Sequence, residues 1–369
     1  MTALCALVLG PLVTALPLAD YWSDPQTWRY VTGNLRLSPQ YALPGVFADN
    51  PHAHAVNGSL WTSELEVGAY MALLALFIAN REAVERVIYG SWWGALAYRI
   101  KHLLNRNSRR GAAKNIHAHY DLGNDFFGLF LSPDLMYSSA LWAEGDTLEE
   151  ASTRKLDAVC SKLGLRGDHH VLEIGSGWGG FALHAARHYG CRVTTTTISR
   201  EQHALASQRV AEAGLQDRVT LLLQDYRDLQ GRYDKLVSIE MIEAVGEHYW
   251  PDYFAALKRH VAPGGSAIVQ AIVIADDFFE RYRRPPDFIQ TYVFPGGMLL
   301  SPASLREQCR QAGLKVAEVY SFGLDYARTL ETWLGRFDRV ADQVGRMGFD
   351  ERFRRMWRYY LAYCAAGFS

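Results

Sequence analysis

The sequence has few cysteines and no excess of charge of either sign. Its five cysteines form no C-x-x-C pair, which argues against a disulfide framework or a structural zinc site and favours a reducing compartment. The 38 Lys and Arg residues nearly balance the 39 Asp and Glu residues. No global field therefore draws the chain to nucleic acid or to an anionic membrane. Nucleic-acid binding rests only on a basic run after residue 105, and it is not predicted.

Long apolar runs are also missing. The segment "GAYMALLALFIAN" (68–80) is shorter than the ~18 to 20 apolar residues of a membrane span and is typical of a buried helix. The apolar opening of the chain has no basic residues before Pro11 and Pro17, so we do not expect a secretory signal. With 49% apolar residues, the composition indicates a globular protein of the cytoplasm.

Two H-x-H pairs could suggest a metal. Neither His52 with His54 nor His117 with His119 has a nearby cysteine or a clear third ligand. We therefore predict no metal site.

The first third of the chain divides into two parts. Residues 1–57 show little periodicity, whereas 58–118 are predicted to form a helical, lipid-interacting domain. A segment at 92–114 begins with Trp92 and Trp93 and ends in basic residues, as an interfacial helix on anionic lipid would. A helix packed on the main domain with a solvated basic tail explains the same pattern, and both interpretations remain open.

From about residue 145, short apolar segments alternate with amphipathic helical ones. Strands are predicted at 169–175, 192–199, 219–225, 233–240, 266–274 and 315–322. This alternation indicates an α/β domain with a doubly wound, mostly parallel sheet. Residues 275–304 are rich in aromatic residues, Pro and Gly and interrupt the pattern, as an inserted lid or substrate loop would.

The strongest local motif is "VLEIGSGWGG" (171–180), in which Glu173 precedes Gly175, Gly177 and Gly179. The glycines allow a strand-to-helix turn to approach a ligand closely. Their G-x-G-x-G spacing differs from the G-x-G-x-x-G of dinucleotide sites, and the acid can orient the amino group of a methionine moiety. A tight turn without a ligand is the alternative.

Six segments together resemble the cyclopropane-fatty-acyl-phospholipid synthase family, which includes mycolic acid cyclopropane synthases. They are "HYDLGNDFF" (119–127), the glycine segment (171–186), "TISREQ" (197–202), "LLLQDYRDL" (221–229), "DFIQTYVFPGG" (287–297) and "GLDYARTLETW" (323–333). The resemblance covers roughly residues 58–368. It implies a class I methyltransferase fold over 119–369, with S-adenosylmethionine as cofactor.

The resemblance also implies the cofactor contacts. The methionine end would meet Glu173, together with Tyr137, Ser138, Gly175 and Gly177. The ribose would meet Thr197 and Gln202, and the adenine would meet Asp225 and Tyr226. Thr197 could instead be an ordinary strand residue, and Gln202 a residue of a helix surface.

The family binds a bicarbonate ion through Cys, Glu, His and Tyr. Here Glu243 and Tyr326 match, but Ser139 stands at the Cys position and Gln270 at the His position. Neutral Ser and Gln can still donate to an anion, so bicarbonate is possible but in doubt, and Glu243 could act directly as the base. Glu243 could also be a plain helix-start carboxylate, and Tyr326 a core aromatic. Glu240 is expected to lie near the cofactor or to support the residues that contact the substrate and cofactor.

The expected reaction is methyl transfer from S-adenosylmethionine to the cis double bond of an unsaturated phospholipid acyl chain, forming a cyclopropane. Because the anion site is changed at Ser139 and Gln270, a methyl-branched or methylene product is an alternative to the ring. A small-molecule N-methyltransferase and a catalytically silent lipid- or cofactor-binding module are the further alternatives. The resemblance also implies peripheral association with the inner membrane surface and a possible homodimer. Compared with the family, the chain ends at Ser369 before a closing strand.

Overall fold

The computed structural model describes residues 16–29, 122–284 and 287–369. The chain divides into two compact units, residues 1–94 and 95–369. In the first unit, the described part contains helix α1 (Leu18–Ser23). The predicted helical domain at 58–118 and both H-x-H pairs lie outside the described residues, so these predictions remain predictions.

A parallel sheet forms the centre of the second unit. The strands described are β1 (His170–Ile174), β2 (Arg192–Thr197), β3 (Val219–Leu223), β4 (Tyr233–Ile239) and β5 (Val261–Gln270). They lie in the order β3-β2-β1-β4-β5, and every neighbouring pair is parallel. The predicted doubly wound sheet is therefore confirmed. The order reverses beside β1, and open α/β sheets bind ligands outside the carboxyl ends of their strands at such a point.

Helices surround this sheet, and their ends follow from local sequence. The segments up to residue 311 are α2 (Asn124–Gly128), α3 (Leu148–Leu163), α4 (Gly180–Tyr189), α5 (Arg200–Glu212), α6 (Trp250–His260), α7 (Asp276–Tyr282) and α8 (Pro302–Gln311). Helix α3 begins with a capping box between Thr147 and Glu150 and ends at Gly164, whose φ is +58°. Both signals are typical of helix ends. They fix the helix that carries the buried Lys155.

One predicted strand is wrong. Residues 315–322 form neither helix nor strand, and Val316, Val319 and Tyr320 are exposed. An alternating segment becomes a strand only where a sheet edge accepts its hydrogen bonds and a core covers one face. This segment has no strand partner among the described residues.

The aromatic segment at 275–304 contains no strand among its described residues. It begins with α7, continues with a π-helical turn over Ile289–Val293, and pairs Val273 with Leu300 through an isolated parallel bridge. Its action as a lid remains a prediction.

Aromatic packing joins α2 to the carboxyl-terminal helices. These are α9 (Gly323–Arg339), α10 (Ala341–Arg346) and α11 (Glu351–Phe368). The fully buried ring of Phe126 on α2 lies 6.2 Å from Phe337 and 5.1 Å from Trp357, measured between ring centroids. In the part of the chain that the structure describes, no helix is both long and apolar enough to cross a membrane.

Phe126→Ala should lower the free energy of unfolding by about 3 to 5 kcal/mol, because truncating a buried ring removes its contacts and leaves a cavity. Urea unfolding followed by circular dichroism measures the change. Val319→Ala, at an exposed position, is the control and should change stability by less than about 0.5 kcal/mol. Equal stability of Phe126→Ala and the control would contradict this packing.

Candidate active site

A cavity of about 880 Å³ lies at the carboxyl edge of the sheet. Its lining includes the residues that follow β1, β2, β3 and β4, because the carboxyl ends of parallel strands meet at one edge. It also includes apolar residues of the 275–304 segment and of α9 and α11, among them Ile289, Phe294, Leu330 and Phe368. A polar half and an apolar half therefore share one space.

The glycine turn after β1 lines this cavity. Gly175 has a φ of +95° and Gly177 a φ of +48°, conformations that glycine adopts without a steric cost. A Cβ atom at Gly175 would lie 3.0 Å from Cγ of Met241, whereas one at Gly177 would meet nothing within 4 Å. The backbone amides of Gly175 and Ser176 donate to the carbonyl oxygen of Thr196 at 3.1 and 2.9 Å. The turn is thus fixed to β2 while its backbone borders open space.

Glu173 stands buried on β1 before this turn. Its Oε2 atom has no hydrogen-bond partner among the described residues. Burial raises the pKa of the Glu173 carboxyl to about 8, and the nearby Lys155 ammonium partly opposes this shift. An unpaired carboxyl oxygen at the cavity suits a cationic ligand group, because a positive charge there would offset the cost of ionising it.

The other predicted cofactor residues also line the cavity: Tyr137, Ser138, Thr197, Gln202, Asp225 and Tyr226. Several are held by buried hydrogen bonds. Lys155 Nζ donates to Ser138 Oγ at 2.9 Å, and Thr197 Oγ1 donates to Gln202 Oε1 at 2.9 Å. Asp225 forms an ion pair with Arg227, and burial raises the pKa of the Tyr226 hydroxyl. The structure therefore brings the predicted set together, although their contacts with a cofactor remain predictions.

Three of the four predicted anion ligands meet at a different residue, Glu240. Its Oε1 accepts from the amide of Ser139 at 2.8 Å and from Nε2 of Gln270 at 2.8 Å. Its Oε2 accepts from the hydroxyl of Tyr326 at 2.7 Å. The Ser139 hydroxyl instead donates to the carbonyl oxygen of Ala140. The chain thus supplies its own carboxylate at the centre of this cluster.

Glu243, the fourth predicted ligand and the expected base, also lines the cavity. Its Oε1 accepts from the amide of Ile272, and its buried Oε2 has no partner among the described residues. Burial raises the pKa of the Glu243 carboxyl to about 8, and the negative charge of Glu240 adds to the shift. Its role as the base remains a prediction.

The sequence placed Glu240 near the cofactor but did not predict that it accepts the three hydrogen bonds of this cluster, and it gave no role to Lys155. Glu240 has a φ of +47°, in the left-handed region that costs a residue with a Cβ roughly 1–2 kcal/mol. The segment "SIEMIE" contains both Glu240 and Glu243, three residues apart. This spacing indicates two candidate carboxylates, but it does not show which of them accepts the hydrogen bonds of the cluster. Lys155 is 2% exposed, and burial lowers its pKa to about 8, opposed by the charges of Glu240, Asp134 and Glu173.

Among the described residues, no three His, Cys, Asp or Glu side chains form a group that could hold a metal ion.

Glu173→Gln should change the pH dependence of stability. Between about pH 4.5 and 8 the folded wild-type protein keeps a proton on Glu173 that the unfolded chain releases. This contribution is therefore present below the unfolded pKa and is lost as pH rises through the folded pKa. The melting temperature of the variant relative to wild type should increase from about pH 5 to about pH 8. An unchanged difference between these two pH values would refute the raised pKa.

Comparison with known proteins identifies the family. The family model for mycolic acid cyclopropane synthetase matches residues 107–369. The chain is 43% identical over 274 residues to tuberculostearic acid methyltransferase UfaA1 of Mycobacterium tuberculosis, covering 71% of this chain and 63% of that protein. It is 38% identical over 266 residues to cyclopropane-fatty-acyl-phospholipid synthase of Escherichia coli K12, covering 72% and 67%. It thus spans about two thirds of the length of these relatives.

Solved structures agree with the sequence comparison. The crystal structure of mycolic acid cyclopropane synthase CmaA1 complexed with SAH and CTAB has a TM-score of 0.65 and 30% sequence identity, covering 69% of this chain and 93% of that one. The fold is that of class I methyltransferases, as the order and direction of the strands indicate. The chain belongs to the mycolic acid cyclopropane synthetase family, whose members are S-adenosylmethionine-dependent enzymes.

Proposed function

We propose that the protein transfers the methyl group of S-adenosylmethionine to the cis double bond of an unsaturated phospholipid acyl chain and closes a cyclopropane ring. The observation that carries this proposal is the single cavity that joins the glycine turn to an apolar lining and to buried carboxyl groups.

The residues present fit the cofactor. The unpaired Oε2 of Glu173 suits its ammonium group, and the open side of Gly177 leaves room for close approach to the backbone. Ser138, whose hydroxyl accepts a hydrogen bond from Lys155, would meet the methionine end. Thr197 and Gln202 would hold the ribose. When bound, S-adenosylmethionine supplies an electrophilic methyl group.

The apolar lining fits an acyl chain. An isolated alkene is a weak nucleophile, so the protein must align it with the methyl group and exclude water. Ile272, Phe294, Leu330 and Phe368 can surround hydrocarbon without offering a competing nucleophile. Loss of a proton from the added methyl group then completes the ring, which requires a base beside the apolar space. Among the carboxyl groups of the lining, Glu240 and Glu243, which follow β4, are the two candidates for this base.

The second candidate is methyl transfer without ring closure. It is favoured by the 43% identity to a protein named a tuberculostearic acid methyltransferase. The cyclopropane product is favoured by the 38% identity to a cyclopropane-fatty-acyl-phospholipid synthase. Both reactions begin with the same methyl transfer and diverge in how the cation is resolved. In ring closure the electron pair of a methyl C–H bond forms the new C–C bond, whereas an alkene forms when a chain carbon loses a proton or, after a hydride shift, when the methyl carbon does.

We also propose that the protein works at the cytoplasmic surface of the inner membrane, where phospholipid chains are available. The predicted interfacial segment at 92–114 supports this placement, because tryptophan and basic residues suit the headgroup region. Homodimer formation remains a prediction.

Expression in a host that makes monounsaturated phospholipids tests the function. Mass spectrometry should show acyl chains heavier by one CH2 group, and these chains should resist catalytic hydrogenation if they carry a ring. Heavier chains that take up hydrogen would favour the methylene or methyl-branched alkene product. Unchanged lipids from a host that contains folded protein would contradict the proposal.

Thr197→Val combined with Gln202→Ala should weaken binding of S-adenosylhomocysteine by about 5- to 150-fold, because each of the two lost hydrogen bonds contributes about 0.5–1.5 kcal/mol. Isothermal titration calorimetry measures the affinity. Gln208→Ala is the matched control, since Gln208 lies on the exposed face of α5 and bonds to Glu212. Equal affinities of the double variant and the control would remove these residues from the cofactor site.

A further inference from the structure

The cluster around Glu240 does not fit the bicarbonate ion that the family resemblance implies. Ser139 N, Gln270 Nε2 and Tyr326 OH all donate to Glu240 over 2.7–2.8 Å. These donors come from the positions expected to hold the ion. Because Glu240 already accepts from all three donors, an added anion would have no free donor among them. It would also face two desolvated carboxyl groups, Glu240 and Glu243.

The backbone at Glu240 holds its side chain in place. Its φ of +47° favours glycine, yet the position carries a large acidic residue. Its amide donates to the carbonyl oxygen of Gln270 at 2.8 Å, which ties it to the end of β5. A strained residue persists where its surroundings determine it and its side chain is needed. Replacing Glu240 by glycine would relieve the backbone and leave the three donors open.

The charges around the pair distinguish Glu240 from Glu243. Glu240 receives three hydrogen bonds, and the Lys155 ammonium further stabilises its ionised form. Glu243 receives one, from the amide of Ile272, and its other oxygen has no partner among the described residues. The charge of Glu240 raises the pKa of Glu243, because two neighbouring desolvated carboxyl groups do not ionise together at low cost. Burial raises the pKa of both carboxyl groups, but the three donors at Glu240 oppose the shift more strongly than the one at Glu243. The negative charge of the pair therefore lies on Glu240.

We propose that Glu240 is a built-in catalytic carboxylate that replaces an anion taken from solution. This inference rests on the proposed methyl transfer. After the methyl group has joined one alkene carbon, the neighbouring carbon is cationic. An oxygen of Glu240 takes a proton from the added methyl group, and the electron pair of that C–H bond closes the ring. The proton leaves Glu240 for solvent when the product departs.

The first test compares wild-type protein with and without bicarbonate. The full chain is assayed with S-adenosylmethionine and vesicles of dioleoylphosphatidylglycerol in CO2-free buffer, and then with added bicarbonate. The rate should be the same within about twofold, since no external anion is required. A rate that depends on bicarbonate would overturn the proposal.

The second test compares two isosteric variants. Glu240→Gln should lower kcat by about 100-fold or more, as loss of a general base does. Glu243→Gln should lower it by about tenfold or less, because an amide replaces a carboxyl group that is already neutral. Glu331→Gln, at an exposed position on α9, is the unchanged control. The reverse order, with Glu243→Gln the more damaging, would make Glu243 the base and refute the assignment.

A binding measurement separates this inference from the proposed function. Glu240→Gly should bind 13C-labelled bicarbonate, seen as saturable line broadening in 13C NMR, whereas wild type should not. Saturable binding to wild type would overturn the inference even if no lipid is methylated. Conversely, an inactive wild type that rejects bicarbonate would contradict the proposed function and leave the built-in anion supported. Melting temperatures check folding, and Glu240→Ala, which also leaves the three donors open, replaces the glycine variant in this measurement if that variant does not fold.

Discussion

Charge balance among buried groups beside the cavity is the interaction on which this site depends. Glu173, Glu240 and Glu243 are carboxyl groups, and Lys155 is the ammonium group whose charge stabilises the ionised forms of Glu173 and Glu240. Taking ionisable groups out of water is costly unless each is paired or neutral. Burial raises the pKa of Glu240 too, but three hydrogen bonds and the Lys155 charge oppose the shift and stabilise its ionised form. Glu173 and Glu243 meet this condition by staying protonated near neutral pH, as their raised pKa values indicate.

This balance follows from the sheet. Glu173 lies on β1, Glu240 directly after β4 and Gln270 at the end of β5, so parallel pairing brings them to one edge. Helix α9 adds Tyr326 from a distant part of the sequence. The same edge carries the glycine turn, so the proposed cofactor and the buried carboxyl groups share a wall of the cavity. The proposed methyl transfer and proton removal would then need no movement of the substrate between sites.

The fold was largely predictable because apolar alternation reports burial directly, and five predicted strands are present. The strand predicted at 315–322 is absent because its pattern lacks a sheet edge to pair with. Motif spacing located the residues that line the cavity, but it could not rank Glu240 and Glu243. That ranking depends on one positive φ and on three donors from remote segments. Such tertiary information is not encoded in the spacing of residues.

The fate of the added methyl group tests the central claim most directly. Purified protein would be supplied with S-adenosylmethionine whose methyl group carries three deuterium atoms, and the lipid product analysed by mass spectrometry before and after hydrogenation. Proton removal from that group by a carboxylate at the cavity predicts a product that keeps two of the three deuterium atoms and resists hydrogenation. A product that keeps all three, or an unlabelled lipid, would contradict ring closure at this site.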